Sequence, residues 1–364
     1  MKALLFITGR GIGGDAVVGL NIIKALEKQG IECEIALDSK APGILYEKNG
    51  YSWHKVSIPQ AGGHAANKIT AMKAGFKTIT ASIKATNLIR KVNPDIIVSV
   101  IGGGAVIGSI SAKLSRKKCV SIIDTPLDTK VCSKLNKCIV LPENQIFKSE
   151  NLPNNLIKSY FPIKDNISTG SYEKGINKIN KHIQEVKEKY PNKDFPVYDE
   201  NKKTILFSSG SSLFEGTVTA LENFTKNYGD EYNILLVGDP LKKEYLEHVD
   251  DSKVINLGYI NWINDCYAIS DLAILTDDGN MIQEALVCEL PIIALTRVKY
   301  GRSHNMASIF PNAVIESEIE DANENIMKVI ENIDNIKNDV NIYKKEIMEA
   351  NKKIADIIIK EGEL

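Results

Sequence analysis

Short apolar runs alternate with amphipathic helical stretches along the whole chain, the pattern of parallel sheets covered by helices. In the first half, the runs at 3–8, 32–37, 95–100, 119–123 and 138–141 read as strands, with helices near 16–29, 68–91 and 105–114. In the second half, the runs at 204–208, 233–237, 254–257, 272–275, 292–295 and 313–315 read as strands. Between the halves, 167–203 is polar and charged, with a helical pattern at 173–189, a breaker at Pro191 and few apolar positions to support a core. The pattern predicts one domain over 1–165, a linker at 166–203, a second domain over 204–330 and a helical tail at 331–364. The tail belongs to a charged helical stretch running from about 320 to 360. A length of 364 residues agrees with two domains.

The first strand runs into Gly9-Arg10-Gly11-Ile12-Gly13-Gly14-Asp15, and a helical pattern follows at once with Val17, Val18, Leu20, Ile22, Ile23, Ala25 and Leu26 at its apolar positions. Strand, glycine loop and helix together bring backbone N–H groups and a helix N-terminus up to an anionic ligand. The spacing is not the dinucleotide fingerprint, although Gly9-Arg10-Gly11 imitates its first half. Because the glycine loop interrupts it so soon, the apolar N-terminus reads as a core strand rather than a signal peptide.

Composition narrows the classes. Hydrophobic and charged fractions of 43% and 25% are those of a soluble globular protein, and a net charge of −1 argues against a dedicated nucleic-acid partner. No apolar run approaches the length that spans a bilayer. The six cysteines, Cys33, Cys119, Cys132, Cys138, Cys266 and Cys288, form no C-x-x-C pair and lie mostly in apolar patterns. They read as reduced core residues of an intracellular protein, and no zinc site is expected. One charge feature stands out: 48–94 contains no Asp or Glu but carries Lys48, Lys55, Lys68, Lys73, Lys77, Lys84, Arg90 and Lys91. Its helix also bears Ile69, Met72, Phe76, Ile79, Ile83 and Leu88. This pattern fits either a core helix with a solvated basic face or a face that meets anionic lipid or a lipid-linked phosphate.

Several segments in order resemble the MurG-type glycosyltransferases. Gly11-Ile12-Gly13-Gly14-Asp15 resembles that family's G-G-T-G-G-H loop. The segment 94–104, from Pro94 to Gly102-Gly103-Gly104, followed by Ala112-Lys113-Leu114, resembles its P-D-V-V-V-G-x-G-G-Y…A-A-K-L. Tyr160-Phe161-Pro162-Ile163-Lys164 resembles the G-N-P-V-R crossover. In the second half, 204–212 resembles the strand and G-G-S-x-G loop, and Gly258-Tyr259-Ile260 the loop that contacts the donor's uracil. Ser270 to Thr276, leading into Gly279-Asn280-Met281-Ile282-Gln283-Glu284, resembles A-D-L-V-I-x-R…G-G-S-T-I-A-E, and Glu289-Leu290-Pro291 stands where the family has G-L-P. The resemblance implies an α/β chain of the GT-B fold, two Rossmann-like domains whose parallel sheets face each other across a cleft.

It also implies an inverting transfer of a sugar, N-acetylglucosamine, from a UDP-sugar to a lipid-linked or cell-envelope acceptor, with no cofactor and no metal. Gly279, Asn280 and Met281 would offer N–H groups to the donor diphosphate, with charge from Lys164 and hydrogen bonds from Ser211 and Ser212. Glu284 would accept from the ribose hydroxyls, because a carboxylate has two acceptor oxygens for a diol. Tyr259 and Ile260 would meet the base, and Arg302, His304 and Asn305 the transferred sugar. Gly11, Gly13, Gly14, Gly102, Gly103, Gly104 and Asp124 form the acceptor-side loops. The pair Asp277-Asp278 invites a metal reading, but it lies on the loop entering the phosphate-binding helix.

The family's loop ends in His where this chain has Asp15, so the general base stays open among Asp15, His64 and Asp124, with Asp15 equally able to cap the following helix. The resemblance places the protein in the cytoplasm, peripheral at the inner face of the membrane. Two other readings remain: a UDP-N-acetylglucosamine 2-epimerase of the same architecture, whose G-T-R-P-E motif Thr8-Gly9-Arg10-Gly11 half resembles, and a sugar-nucleotide binder without turnover.

Overall fold

The computed structural model describes residues 1–10, 13–59, 68–298 and 305–363. It divides into two compact units, one of Met1–Ile163 with Glu349–Leu364 and one of Lys164–Met348. In the first, β1 (Lys2–Ile7), α1 (Asp15–Glu27), β2 (Glu32–Asp38), α2 (Ile44–Glu47), β3 (His54–Val56), α3 (Lys68–Val92), β4 (Ile96–Val100), α4 (Gly102–Ser115), β5 (Lys118–Ile123), α5 (Pro126–Cys132), β6 (Lys137–Val140) and β7 (Leu156–Lys158) follow in order. The strands form one sheet in the order β3-β2-β1-β4-β5-β6-β7, every pair parallel. β1 and β4 are buried almost throughout, because helices cover both faces, and that is why they read as unbroken apolar runs.

The second unit begins with α6 (Tyr172–Lys189), then β8 (Thr204–Leu213), α7 (Glu215–Tyr228), β9 (Asn233–Pro240), β10 (Val254–Gly258), α8 (Ile263–Ile269), β11 (Leu272–Thr276), α9 (Asn280–Val287), β12 (Ile292–Leu295), α10 (Met306–Ile309), β13 (Val314–Ser317) and α11 (Ala322–Glu331). Its parallel sheet has the order β10-β9-β8-β11-β12-β13. Phe207, Leu221, Phe224, Ile234, Ile274 and Leu295 are central to its core. α6 lies within this unit through Ile176, Ile179 and Ile183, and its Lys178 Nζ donates to Asp265 Oδ2 at 2.5 Å. The long helical stretch is two helices, because Asn332 ends α11 before α12 (Ile333–Glu363) begins. The residues of α12 up to Met348 belong to the second unit and the remainder to the first.

Three further differences from the sequence reading have physical causes. β3 and β7 are three-residue edge strands, too short for a periodic signal. β8 continues to Leu213, past a register shift between Ser208 and Ser212, because Gly210 (φ 102°) and Gly238 (φ 124°) let the backbones of β8 and β9 close up. On α3 two residues of the expected apolar face are turned outward: Ile79 and Ile83 are 56% and 55% exposed, while Leu88 packs against the core and Ala81, Ser82, Ala85, Thr86 and Ile89 are buried. Small residues allow α3 to approach α4, where the Ser111 hydroxyl donates to the Ser82 carbonyl at 3.1 Å.

The close approach of α4 to β1 makes a direct prediction. A β-carbon on Gly104 would lie 2.8 Å from the Phe6 carbonyl oxygen and 3.1 Å from Ile7 Cα, neither of which can rotate away. Gly104→Ala should therefore lower stability by about 1–3 kcal/mol, read as a fall in the thermal midpoint.

Candidate functional site

Each sheet reverses its strand order once, between β1 and β4 in the first unit and between β8 and β11 in the second. In open α/β sheets the crevice at the carboxyl ends of such a strand pair is where ligands bind. Most of the described candidate residues lie on loops or helix starts at these ends.

In the first unit, Gly14 (φ 56°) is the N-cap of α1 and Asp15 is its first residue, so Asp15 does not serve as the N-cap. Its carboxylate folds back to accept the Gly9 N–H at 2.8 Å. Burial raises the Asp15 pKa, and hydrogen bonds from the Gly9 and Ala16 backbone and the Thr8 side chain oppose that rise. The Thr8 hydroxyl accepts the Gly104 N–H at 3.2 Å, tying the loop after β1 to the glycine run after β4. That run opens with Ile101 at φ 39° and Gly102 at φ 58°.

A residue that sequence reasoning missed holds this run. Asp128 is fully buried and accepts N–H groups from Gly102 (2.8 Å), Thr125 (2.9 Å) and Asp124 (3.3 Å), so it joins the loop after β4 to the loop after β5. The signal was the capping box Thr125-Pro126-Leu127-Asp128. Asp124, the residue singled out instead, sits buried beside it. Gly13 is described at the loop's end, whereas Gly11 and His64 lie outside the described residues.

In the second unit, Gly279 (φ 78°) is the N-cap of α9, and Asn280 and Met281 form its first turn. The Met281 sulfur lies 3.6 Å from the Ser208 hydroxyl, which places the helix start beside β8. Ser211 and Ser212 belong to the extended end of β8 rather than to a helix cap. The Ser209 hydroxyl accepts the Phe214 N–H at 3.0 Å, just before α7. Tyr259 is 44% exposed after β10, its N–H held by Asp239 Oδ1 at 3.1 Å, with Ile260 half-buried beside it.

Glu284, one turn into α9, is buried, and no described residue hydrogen-bonds its carboxylate. Desolvation lifts its pKa to about 7, against the pull of the Lys164 ammonium. Asp277 is also buried, with its pKa raised to about 7 first by desolvation, and its Oδ1 accepts the Ala307 N–H at 2.7 Å. Asp278 Oδ1 accepts the Thr276 hydroxyl at 2.5 Å. Both carboxylates of the acidic pair thus hold backbone and hydroxyl groups of the site's own loops. Asn305 is buried at the start of α10, and Arg302 and His304 lie outside the described residues.

No protein-family model matches the chain. It is 24% identical over 254 residues, 64% of this chain and 69% of the relative, to the UDP-N-acetylglucosamine–N-acetylmuramyl-(pentapeptide) pyrophosphoryl-undecaprenol N-acetylglucosamine transferase of Wigglesworthia glossinidia brevipalpis. To the protein of the same name from Borrelia garinii subsp. bavariensis it is 23% identical, over 98% of this chain and 95% of the relative. Among solved structures, MurG of Acinetobacter baumannii superposes with a TM-score of 0.66 at 14% identity, covering 99% of both chains. Anabaena HepE in complex with UDP gives 0.61 at 15%, covering 100% of this chain and 98% of the other. At these identities the structural likeness carries the fold. The chain is thus similar along its length to these transferases in sequence, and its two Rossmann-like parallel-sheet units have the GT-B fold.

Proposed function

We propose that this chain is an inverting, metal-independent glycosyltransferase that moves N-acetylglucosamine from its UDP conjugate to a lipid-linked acceptor. The observation that carries the reading is Glu284: a buried carboxylate without a described hydrogen-bond partner, one turn inside a glycine-opened helix, at the switch point of the second sheet. That is the chemistry a ribose diol satisfies, while the N–H groups of Gly279–Met281 face the diphosphate. The names of the relatives, which state N-acetylglucosamine transfer, and the UDP bound by HepE support the donor class.

In the proposed step the acceptor hydroxyl attacks the anomeric carbon as the bond to the diphosphate breaks. Asp15 takes the hydroxyl proton, and the helix N-terminus and Lys164 stabilise the charge that builds on the leaving diphosphate. The raised pKa of Asp15 makes it a stronger base than an ordinary aspartate. The test is a thermal-shift series with UDP, UDP-N-acetylglucosamine, UDP-glucose and GDP-mannose on wild type and Glu284→Ala. A shift with the UDP compounds alone, lost in the variant, is expected; no shift with any UDP compound overturns the donor reading.

The acceptor's membrane supplies a second expectation. Exposed Ile79 and Ile83 on α3 flank the Ser82–Ser111 contact, and exposed Leu114 lies just beyond it on α4, with Lys77, Lys84 and Lys113 exposed around them. This combination suits peripheral docking on an anionic inner leaflet. Ile79→Glu with Ile83→Glu should weaken sedimentation with phosphatidylglycerol vesicles by about tenfold or more and leave the thermal midpoint unchanged. Undiminished sedimentation would remove α3 from the membrane contact.

A further inference from the structure

We propose that a basic basin on the first unit, away from both glycine loops, binds a phosphate-bearing anion. The basin measures about 680 Å³ and is lined by Lys113, Arg116, Lys117, Lys118, Lys134 and Lys137, with Glu361 as its single carboxylate. A chain of net charge −1 has therefore gathered six cations around one cavity. Lys118 and Lys137 open β5 and β6, so the basin sits at the amino ends of strands whose carboxyl ends face the Asp124 and Gly102 loops. It belongs to neither the donor crevice nor the acceptor-side loops.

The cations divide into two groups. Lys137 pairs with Glu361 at 3.2 Å, Lys118 donates to the Gly362 carbonyl at 3.2 Å and Lys117 to Asn93 Oδ1 at 2.9 Å. The side chains of Lys113, Arg116 and Lys134 have no hydrogen-bond or ion-pair partner among the described residues. Attraction to the carbonyl end of α4 would account for Lys113 and Arg116. It does not account for Lys134, which comes from the segment after α5, nor for the strand-opening lysines.

Arg116 carries the argument further. It occupies the C-cap of α4 at φ 55°, ψ 35°, the left-handed conformation that favours glycine. The N–H groups of Arg116 and Lys117 already satisfy the Lys113 and Ala112 carbonyls, at 3.3 and 3.0 Å, so the side chain is not needed for capping. A residue that costs stability where glycine would not, and that brings a guanidinium to a cationic cavity, fits a binding role. The planar fork suits two phosphate oxygens at once. The ligand class is a phosphomonoester or diphosphate, free in solution or carried as a lipid headgroup.

The test uses the full chain with UDP in excess, so that the proposed donor crevice is filled, and compares wild type with Arg116→Gly and Lys134→Glu. Inorganic pyrophosphate is titrated at constant ionic strength with the thermal midpoint as readout, and sedimentation with phosphatidic acid vesicles, whose headgroup is a phosphomonoester, is measured in parallel. Arg116→Gly should raise the midpoint without ligand by about 2 °C and yet bind the anion about tenfold more weakly. Lys134→Glu should weaken binding likewise. A pyrophosphate response lost in the variants supports a free anion; vesicle binding lost in the variants, with pyrophosphate silent, supports a headgroup. Equal responses of all three proteins, or no response of wild type to either probe, overturns the proposal. The comparison stands even if UDP does not bind, because both substitutions lie in the basin.

Discussion

Glu284→Gln should make the protein more stable and a weaker binder of UDP. Burial lifts the Glu284 pKa from 4.5 to about 7, so the ionised side chain costs the folded state about 3 kcal/mol at pH 8. The sign follows from the raised value. Below about pH 4.5 the carboxyl is neutral in both folded and unfolded chains and the substitution gains nothing. Between 4.5 and 7 the unfolded chain releases its proton first, and the wild type loses stability as pH rises; above 7 the difference is constant. At pH 8 the variant's thermal midpoint should therefore lie several degrees higher, at about 2–4 °C per kcal/mol. Asp277 titrates in the same range in both proteins, so the difference between them isolates Glu284.

Donor binding should move the opposite way. As the proposed acceptor for both ribose hydroxyls, the ionised carboxylate should make wild-type affinity for UDP rise with pH through about 7 more steeply than in the variant, which should bind about tenfold more weakly. Calorimetric titration at several pH values separates these outcomes. A variant that binds UDP as wild type does would remove Glu284 from the donor contact.

Asp15→Asn should lower turnover by about 10²–10⁴-fold while leaving UDP binding unchanged. The amide oxygen can still accept the Gly9 N–H that the carboxylate now holds at 2.8 Å, so the loop keeps its anchor and the proposed proton acceptor is lost. Asp15→Ala removes both and should also lower the thermal midpoint. Because burial raises the Asp15 pKa, the acid limb of the wild-type rate profile should fall above the ordinary aspartate range. Full turnover in Asp15→Asn would move the base elsewhere, with His64 the first residue to substitute.

The central strands were legible because a strand buried on both faces has little choice but to be apolar throughout, as in Leu4-Leu5-Phe6-Ile7 and Ile96-Ile97-Val98. The edge strands were not: His54-Lys55-Val56 has one neighbour and three residues in which to show a pattern. The outward turn of Ile79 and Ile83 was hidden for a different reason. Helix-to-helix approach selects small residues such as Ala81, Ser82 and Ala85, which a reading that weights bulk and hydrophobicity passes over. At the candidate site, the glycine loops and Glu284 stand out in one dimension because each is a local motif. Asp128 joins two loops 26 residues apart, and Asp277 reaches Ala307 across 30, so neither contact leaves a trace in local spacing.

The composition of the first unit bears on how the protein is made. Asn351 and Ile163 exchange hydrogen bonds at 3.0 and 2.8 Å, Gln29 donates to Asp356, and Ala350, Ile354, Ala355 and Ile358 are buried. All four of these buried residues lie in the part of α12 that belongs to the first unit. On the ribosome, the second unit has every one of its residues by Met348, whereas the first, begun earlier, lacks part of its packing until residues 349–364 emerge. The half synthesised first is thus the half completed last, and a fragment ending at Ile163 would expose the apolar surface that α12 covers.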